Sequence, residues 1–217
     1  MDIMTAIKYP LKDKQWWLKC LICFGLSLVL IGLPAVIGYT MLCARKVAQG
    51  DEVLPEFGDF GTLYVDGLRF MLTGFAYALP GIIVMGFALC PMMACTLTDS
   101  EAGAALGLVS SVTTLCVGLG ITLVAGFLIY PAYVIMLKEE GFGAGFQFSR
   151  ITALLKSNFM DFVWLILLGT LVQVAFNAVG NLIVIGAIIT APYGAFVMSH
   201  LLGQTAIRVC ASDASLG

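Results

Sequence analysis

Charge is what this chain lacks. It holds 11 Lys or Arg and 13 Asp or Glu among 217 residues, or 11% charged, where a typical soluble domain carries about 25%. So few charges cannot cover a water-facing surface of this size. With 60% hydrophobic residues and a mean hydropathy of +1.01, a soluble enzyme, a nucleic-acid binder and a disordered tail are excluded. What remains is an integral membrane protein, and one domain is the sensible count for the length. A net charge of −2 offers no basic surplus for nucleic acid. Histidine is nearly absent too: His200 stands alone. There is no GxSxG, HExxH or P-loop, and nucleophile–base pairs need a base that this chain hardly supplies. No catalytic residues, no cofactor and no enzymatic activity are expected.

The seven cysteines are odd in number, and all but one lie inside apolar runs, where Cys acts as a small hydrophobe. No disulfide is expected. Lys8 to Lys19 followed by Cys20 to Leu33 imitates a signal peptide. The charged region is too long, however, and no small-x-small cleavage site follows.

The gaps between charges locate the spans. Residues 20–44, 70–98 and 102–137 carry no charge, and from 162 to 207 the only ionisable group is His200. A crossing helix needs about 20 apolar residues. Residues 162–207 as one helix would run to about 69 Å at about 1.5 Å per residue, so they must fold back, with Asn177-Ala-Val-Gly-Asn181 as the turn-prone break. Basic stretches (Lys8 to Lys19; Arg45, Lys46 and Arg69; Lys138, Arg150 and Lys156; Arg208) alternate with non-basic ones, except across 20–44. If each basic stretch is cytoplasmic, residues 16–48 enter and return on one side. They form a hairpin broken at Gly32-Leu-Pro34, too short to cross fully. The rival is a single span with the N-terminus outside.

The fold expected is an all-α integral membrane helical bundle. Five to six membrane helices form three hairpins, 16–31 with 35–48, 67–97 with 104–137, and 160–179 with 182–207. Both termini are cytoplasmic. Short amphipathic cytoplasmic connectors fall at about 59–66 and 146–156; in the latter Phe148, Ile151 and Leu155 share a face. Each return helix carries a Pro and a Tyr, as Pro34 with Tyr39, Pro131 with Tyr133, and Pro192 with Tyr193. This is a short sign of a threefold repeat.

Several stretches point to a family. They are Ala6-Ile-Lys-Tyr-Pro10 leading to Trp16-Trp17-Leu18-Lys19, and Gly38-Tyr39 running into Ala44-Arg45-Lys46-Val47. The most specific is Leu54-Pro-Glu-Phe-Gly-Asp-Phe-Gly61 followed by Val65-Asp-Gly-Leu68, and His200-Leu-Leu-Gly-Gln204 closes the set. Together they resemble the domain-of-unknown-function family numbered 4013, multi-pass membrane proteins of bacteria and archaea. The resemblance implies a prokaryotic cytoplasmic membrane protein and implies no activity. The family often has an acidic residue where Gly58 stands here, which weakens the loop as an acidic metal site.

Few polar residues remain to carry function. Loop 51–66 holds Asp51, Glu52, Glu56, Asp59 and Asp66, which could ligate a hard cation. No EF-hand spacing is present, and Asp59 is placed to cap a helix. The others can pair with Arg45, Lys46 and Arg69. Glu56, Asp59 and Asp66 are retained as a cytoplasmic interaction loop rather than a metal site. Gln173, Asn177 and Asn181 recur at i, i+4 and i+8 as a polar stripe, either a path between helices or interhelical glue. His200 and Gln204 lie one turn apart as an intramembrane polar pair. Cys90-Pro-Met-Met-Ala-Cys95 is rich in soft ligands, but Met and Cys are ordinary membrane fillers. Gly103-Ala-Ala-Leu-Gly107 reads as close helix packing. No Asp or Glu falls at bilayer depth, which argues against proton-coupled transport. The expectation is a non-enzymatic accessory or scaffolding subunit of a membrane complex in the inner membrane. Its partners are the lipid bilayer and other membrane-protein subunits. A small-molecule or lipid transporter or channel using the polar stripe is the alternative.

Overall fold

The computed structural model describes residues 2–96, 101–139, 141–182 and 186–213; for 92, 94–96, 101, 104, 181–182, 187 and 210–213 it describes the backbone alone. Among these residues every regular element is helical: α1 (Ile3–Lys8), α2 (Trp16–Leu28), α3 (Leu33–Ala48), α4 (Phe60–Phe87), α5 (Leu89–Thr96), α6 (Glu101–Lys138), α7 (Phe148–Ser157), α8 (Phe159–Leu182) and α9 (Gly186–Asp213). The fold is all-α. Among the described residues four stretches are long and apolar enough to cross a membrane, namely Leu30–Ala48, Phe60–Pro91, Ala105–Lys138 and Phe159–Gly180.

Residues 16–48 do not form one helix. The chain leaves α2 at Val29 in an extended conformation, makes a 3₁₀ turn over Leu30–Gly32 and re-enters a helix at Leu33. Pro34 sits in the first turn of α3, where its missing N–H costs nothing. The turn is tight, for a Cβ on Gly32 would lie 2.1 Å from the Leu26 carbonyl oxygen. At 13 residues, α2 is about 20 Å long, short of a hydrocarbon core of about 30 Å. The tip is apolar and open, with Leu28 72%, Leu30 84% and Ile31 73% exposed.

Other boundaries depart from the sequence reading. Residues 59–66 are no separate interfacial helix; from Phe60 they are the opening turns of α4. The span expected over 67–97 is interrupted at Ala88. Pro91 cannot donate to the Phe87 carbonyl and its ring clashes there, so α4 ends at Phe87. Asn177-Ala-Val-Gly-Asn181 is not the turn, because α8 runs through it to Leu182. In α7 the buried face is Ile151 and Leu154, while Phe148 is 55% exposed. The connection expected between 67–97 and 104–137 lies in part, at 97–100, outside the described residues, and so do the side chains of Cys95, Asn181 and Cys210.

The chain divides into two compact units, residues 1–71 with 130–217, and residues 72–129. In the first, α9 is central and packs on α8, α3, α2 and α1. Its buried face includes Phe196, Val197, His200, Leu201 and Thr205. Helices approach closely where Gly removes a side chain. A Cβ on Gly203 would lie 2.7 Å from the Ala44 carbonyl oxygen. One on Gly67 would lie 1.6 Å from the Pro34 carbonyl oxygen, and one on Gly38 1.9 Å from that of Leu63. In the second unit a Cβ on Gly81 would meet Thr122 Oγ1 at 2.1 Å, and one on Gly118 would meet Met85 Cγ at 2.4 Å.

Gly67→Ala should therefore force α3 and α4 apart. The expected cost is about 1–3 kcal/mol, the usual scale of overpacking, read as a lower unfolding temperature in detergent. Gly25→Ala, where nothing lies within 4 Å, is the control that should lose nothing.

Candidate functional site

The polar groups of the first unit converge on residues 51–57, a stretch with no regular structure. It begins at a helix stop built by the sequence. Gly50, at φ 93°, follows the last turn of α3. The amides of Gly50 and Asp51 donate to the carbonyls of Val47 and Lys46, both at 3.0 Å. This is a Schellman closure, and Gly is the residue that adopts a positive φ without strain. Beyond it three successive carbonyl oxygens are taken by side chains from three places. Tyr9 Oη donates to Val53 (3.4 Å), Lys19 Nζ to Leu54 (3.0 Å) and Tyr39 Oη to Pro55 (2.7 Å). Phe57 then stacks on Tyr39, with ring centroids 4.2 Å apart and planes 14° apart. Lys12 pairs with Glu52, and Lys46 with Asp51 at 3.3 Å.

Lys19 is the unusual member. It is 6% exposed and forms an ion pair with Asp13, itself largely covered. Burial pushes the Asp13 carboxyl up, but the Lys19 hydrogen bond, the Gln15 amide and the Lys19 charge outweigh it and hold the group below its ordinary value. Burial pushes the Tyr9 phenol far above its usual range, so it stays a donor.

The return-helix tyrosines share one role. Tyr39 Oη bonds Pro55, Tyr133 Oη the Phe70 carbonyl (3.2 Å) and Tyr193 Oη the Ile7 carbonyl (2.5 Å). Each also meets a ring edge-on, Phe196, Phe70 and Trp16 respectively. The Pro–Tyr signature thus marks positions where a return helix holds the main chain of another segment.

His200 and Gln204 face the N-terminus. Gln204 Oε1 accepts from the Asp2 amide (3.0 Å), and its Nε2 lies 3.3 Å from both the Asp2 carbonyl oxygen and His200 Nδ1. The Tyr9 ring lies 4.7 Å from the His200 ring. The pair anchors α1.

The acidic loop is dispersed among partners. Asp59 accepts from the Gly61 amide and the Thr62 hydroxyl at the head of α4 (3.2 and 2.9 Å). Asp66 pairs with Arg69 (3.1 Å) and Arg45 (3.8 Å). Glu56 is exposed. Among the described residues no three His, Cys, Asp or Glu lie together to hold a metal. Gln173 is half-buried beside Gly194 and Asn177 is exposed. The free thiols of Cys20, Cys23 and Cys43 are buried.

Sequence reasoning missed Tyr9, Asp13 and Lys19 as one constellation. Lys19 counted only as one more basic residue near a span end. The signal was present: a lysine one turn inside an apolar helix, with an aspartate six residues before it.

All-α architecture, four helices of membrane-crossing length among the described residues and polar groups engaged with main chain define a multi-pass membrane-type protein. The sequence model of the family described as Protein of unknown function (DUF4013) matches residues 21–203, and the chain belongs to that family. Tyr9, Asp13 and Lys19 precede the matched stretch, whereas the Val53 and Leu54 carbonyls that Tyr9 and Lys19 meet lie inside it. Neither a curated protein nor a solved structure matches the chain.

Two outcomes follow for the Lys19 contact. Asp13→Asn leaves a buried ammonium without its counter-charge, and breaking such a pair costs about 3–5 kcal/mol, measurable by chemical denaturation at pH 7. Asp13 titrates below its ordinary value of 3.8 in the folded chain. Its contribution is therefore complete above that value and lost as pH falls through the lower folded one. The wild type should lose this increment as pH falls below 3.8 and through the lower folded value, and Asp13→Asn should show no matching step. Separately, Tyr39→Phe should cost about 1–3 kcal/mol by orphaning the Pro55 carbonyl and speed hydrogen exchange across 53–57.

Proposed function

We propose that this protein is a non-enzymatic accessory or scaffolding subunit of a membrane complex in the inner membrane of a prokaryote. One observation carries the reading: the best membrane window of Ala105–Lys138 is only 6% buried within the chain, and that of Phe60–Pro91 only 22%. These helices offer most of their sides to lipid or to other subunits. In the first unit Phe159–Gly180 is as open, at 22% buried, while the buried face of α9 and the ends of α2 and α3 are tied down. That unit's interior Tyr and Lys side chains and Gln204 engage main chain, and His200 meets Gln204 and the Tyr9 ring, rather than converging on an open reaction site. That division suits a fixed platform carrying an exposed apolar hairpin.

The basic stretches support an orientation with both termini cytoplasmic. Lys12 pairs with Glu52, Arg150 with Glu139 and Arg208 with Asp161. Gly203 against Ala44 and Val47 brings the last turns of α9 beside the end of α3. Residues 16–48 then form a re-entrant hairpin whose apolar tip ends inside the bilayer, and 49–59 with 139–158 face the cytoplasm.

The tagged full chain, extracted from native membranes in mild detergent, should bring down a defined membrane protein at constant stoichiometry. Recovery of this chain alone would overturn the subunit reading. Single cysteines placed at residues 14 and 156 should react with an impermeant maleimide only after the membrane is opened to the cytoplasmic side. Labelling of either in intact cells would overturn the orientation.

A further inference from the structure

Helix α1 is tied to α9 at both ends. Gln204 Oε1 accepts from the Asp2 amide at 3.0 Å, and the Tyr193 hydroxyl donates to the Ile7 carbonyl at 2.5 Å. Ile3 and Ile7, one turn apart on one face of α1, line a groove shared with α8. It is open along its length and holds about 260 Å³. On the α8 side Leu171, Ala175 and Val179 form one ridge at i, i+4 and i+8. Leu171 and Val179 are exposed, and the small Ala175 between them leaves the ridge low. Val172 and Phe176 close the floor. Val172 is buried, and the Phe176 ring rests 5.0 Å from that of Tyr193.

Every lining side chain is apolar, so the groove offers nothing to a ligand that must hydrogen-bond. Its α8 wall belongs to the membrane-crossing stretch Phe159–Gly180 and meets hydrocarbon. A gap left empty would forfeit the dispersion contacts of the atoms that line it, and the ties to α9 hold α1 back from closing it. A helix is about 10–12 Å across, too thick for this groove, whereas a single alkyl chain is thin enough. The charges nearby choose the head group. Lys8 follows Ile7 in the last turn of α1, on the face beside the groove. It is exposed and pairs with no carboxylate among the described residues. Asp2, the other charge at this helix, caps the opposite end through the Met4 and Thr5 amides. Asp161, the one charged residue of α8, pairs with Arg208. We propose that the groove between α1 and α8 holds one acyl chain of an anionic phospholipid, with its phosphate at Lys8. The lipid then fills the space behind the helix that leads into Tyr9, and so supports the contacts made on residues 51–57.

The test begins with the full chain extracted from native membranes in mild detergent and examined by native mass spectrometry. One phospholipid should stay with each chain, and Ala175→Trp, which fills the groove, should expel it. After delipidation, phosphatidylglycerol in mixed micelles should bind more tightly than phosphatidylcholine. Lys8→Gln should reduce that preference by about fivefold, the worth of one lysine at an anionic surface. Phosphatidylglycerol with a diazirine in its acyl chain should label residues 3–7 and 171–179 more heavily than residues 106–124 of α6, where Leu106 and Leu123 are also exposed. Equal labelling of these stretches would mean bulk lipid only and would overturn the proposal. So would unchanged selectivity in Lys8→Gln, or a chain recovered without lipid; if recovered as a dimer, a second copy occupies the groove. If Ala175→Trp does not fold, the labelling of the wild type decides.

Discussion

One ammonium group taken out of water organises an end of this protein. Burying Lys19 costs several kcal/mol unless a counter-charge and acceptors meet it. Asp13 supplies the charge and the Leu54 carbonyl supplies an acceptor. That requirement fixes the segment before α2, the first turns of α2 and the irregular stretch after α3 in one arrangement. Tyr9 and Tyr39 complete it by taking the carbonyls on either side of Leu54. A loop with no regular structure is thereby held from three directions. Asp59, four residues beyond Pro55, then opens α4.

The helices that leave this platform obey a different constraint. In lipid there is no hydrophobic force to drive apolar helices together, so packing and hydrogen bonds must do it. The chain answers with close backbone approaches at Gly38 and Gly67, at Gly203, and at Gly81 and Gly118. It adds hydroxyl-to-carbonyl bonds from Tyr39, Tyr133 and Tyr193. Where such contacts are few, as along most of α6, the helix keeps its sides open. This contrast between a pinned platform and an open apolar hairpin is what gives the scaffold reading its physical content.

Much of the architecture was legible because charge and bilayer act over long stretches of chain. Gaps between charges located the long apolar helices, and the distribution of Lys and Arg pointed to a reversal within residues 16–48, where the helix does break, between Leu28 and Leu33. The capping role of Asp59 and the pairing of Asp66 with Arg69 followed from local spacing. The errors have local causes too. Asn177 and Asn181 look like turn residues, but in an apolar environment unmet backbone groups cost more than Asn propensity gains, and α8 continues. Residues 59–66 look amphipathic alone, yet a helix once nucleated extends at little cost into apolar sequence. The buried face of α7 depends on its neighbours, so Leu154 replaced Phe148 in contact.

The candidate site divides along the same line. Sparse charge and long apolar runs alone determined that this is a membrane-type all-α chain. They also determined which polar residues were available. Only the tertiary structure decided how they are used. Lys19 reads like any other basic residue near a span end until Asp13 and the Leu54 carbonyl arrive from either side of it in sequence. The three tyrosines read as interfacial aromatics until their distant carbonyl partners are in place. Burial and hydrogen bonding are properties of groups that meet in space, and their meeting depends on turns and close helix crossings that no single stretch of sequence contains.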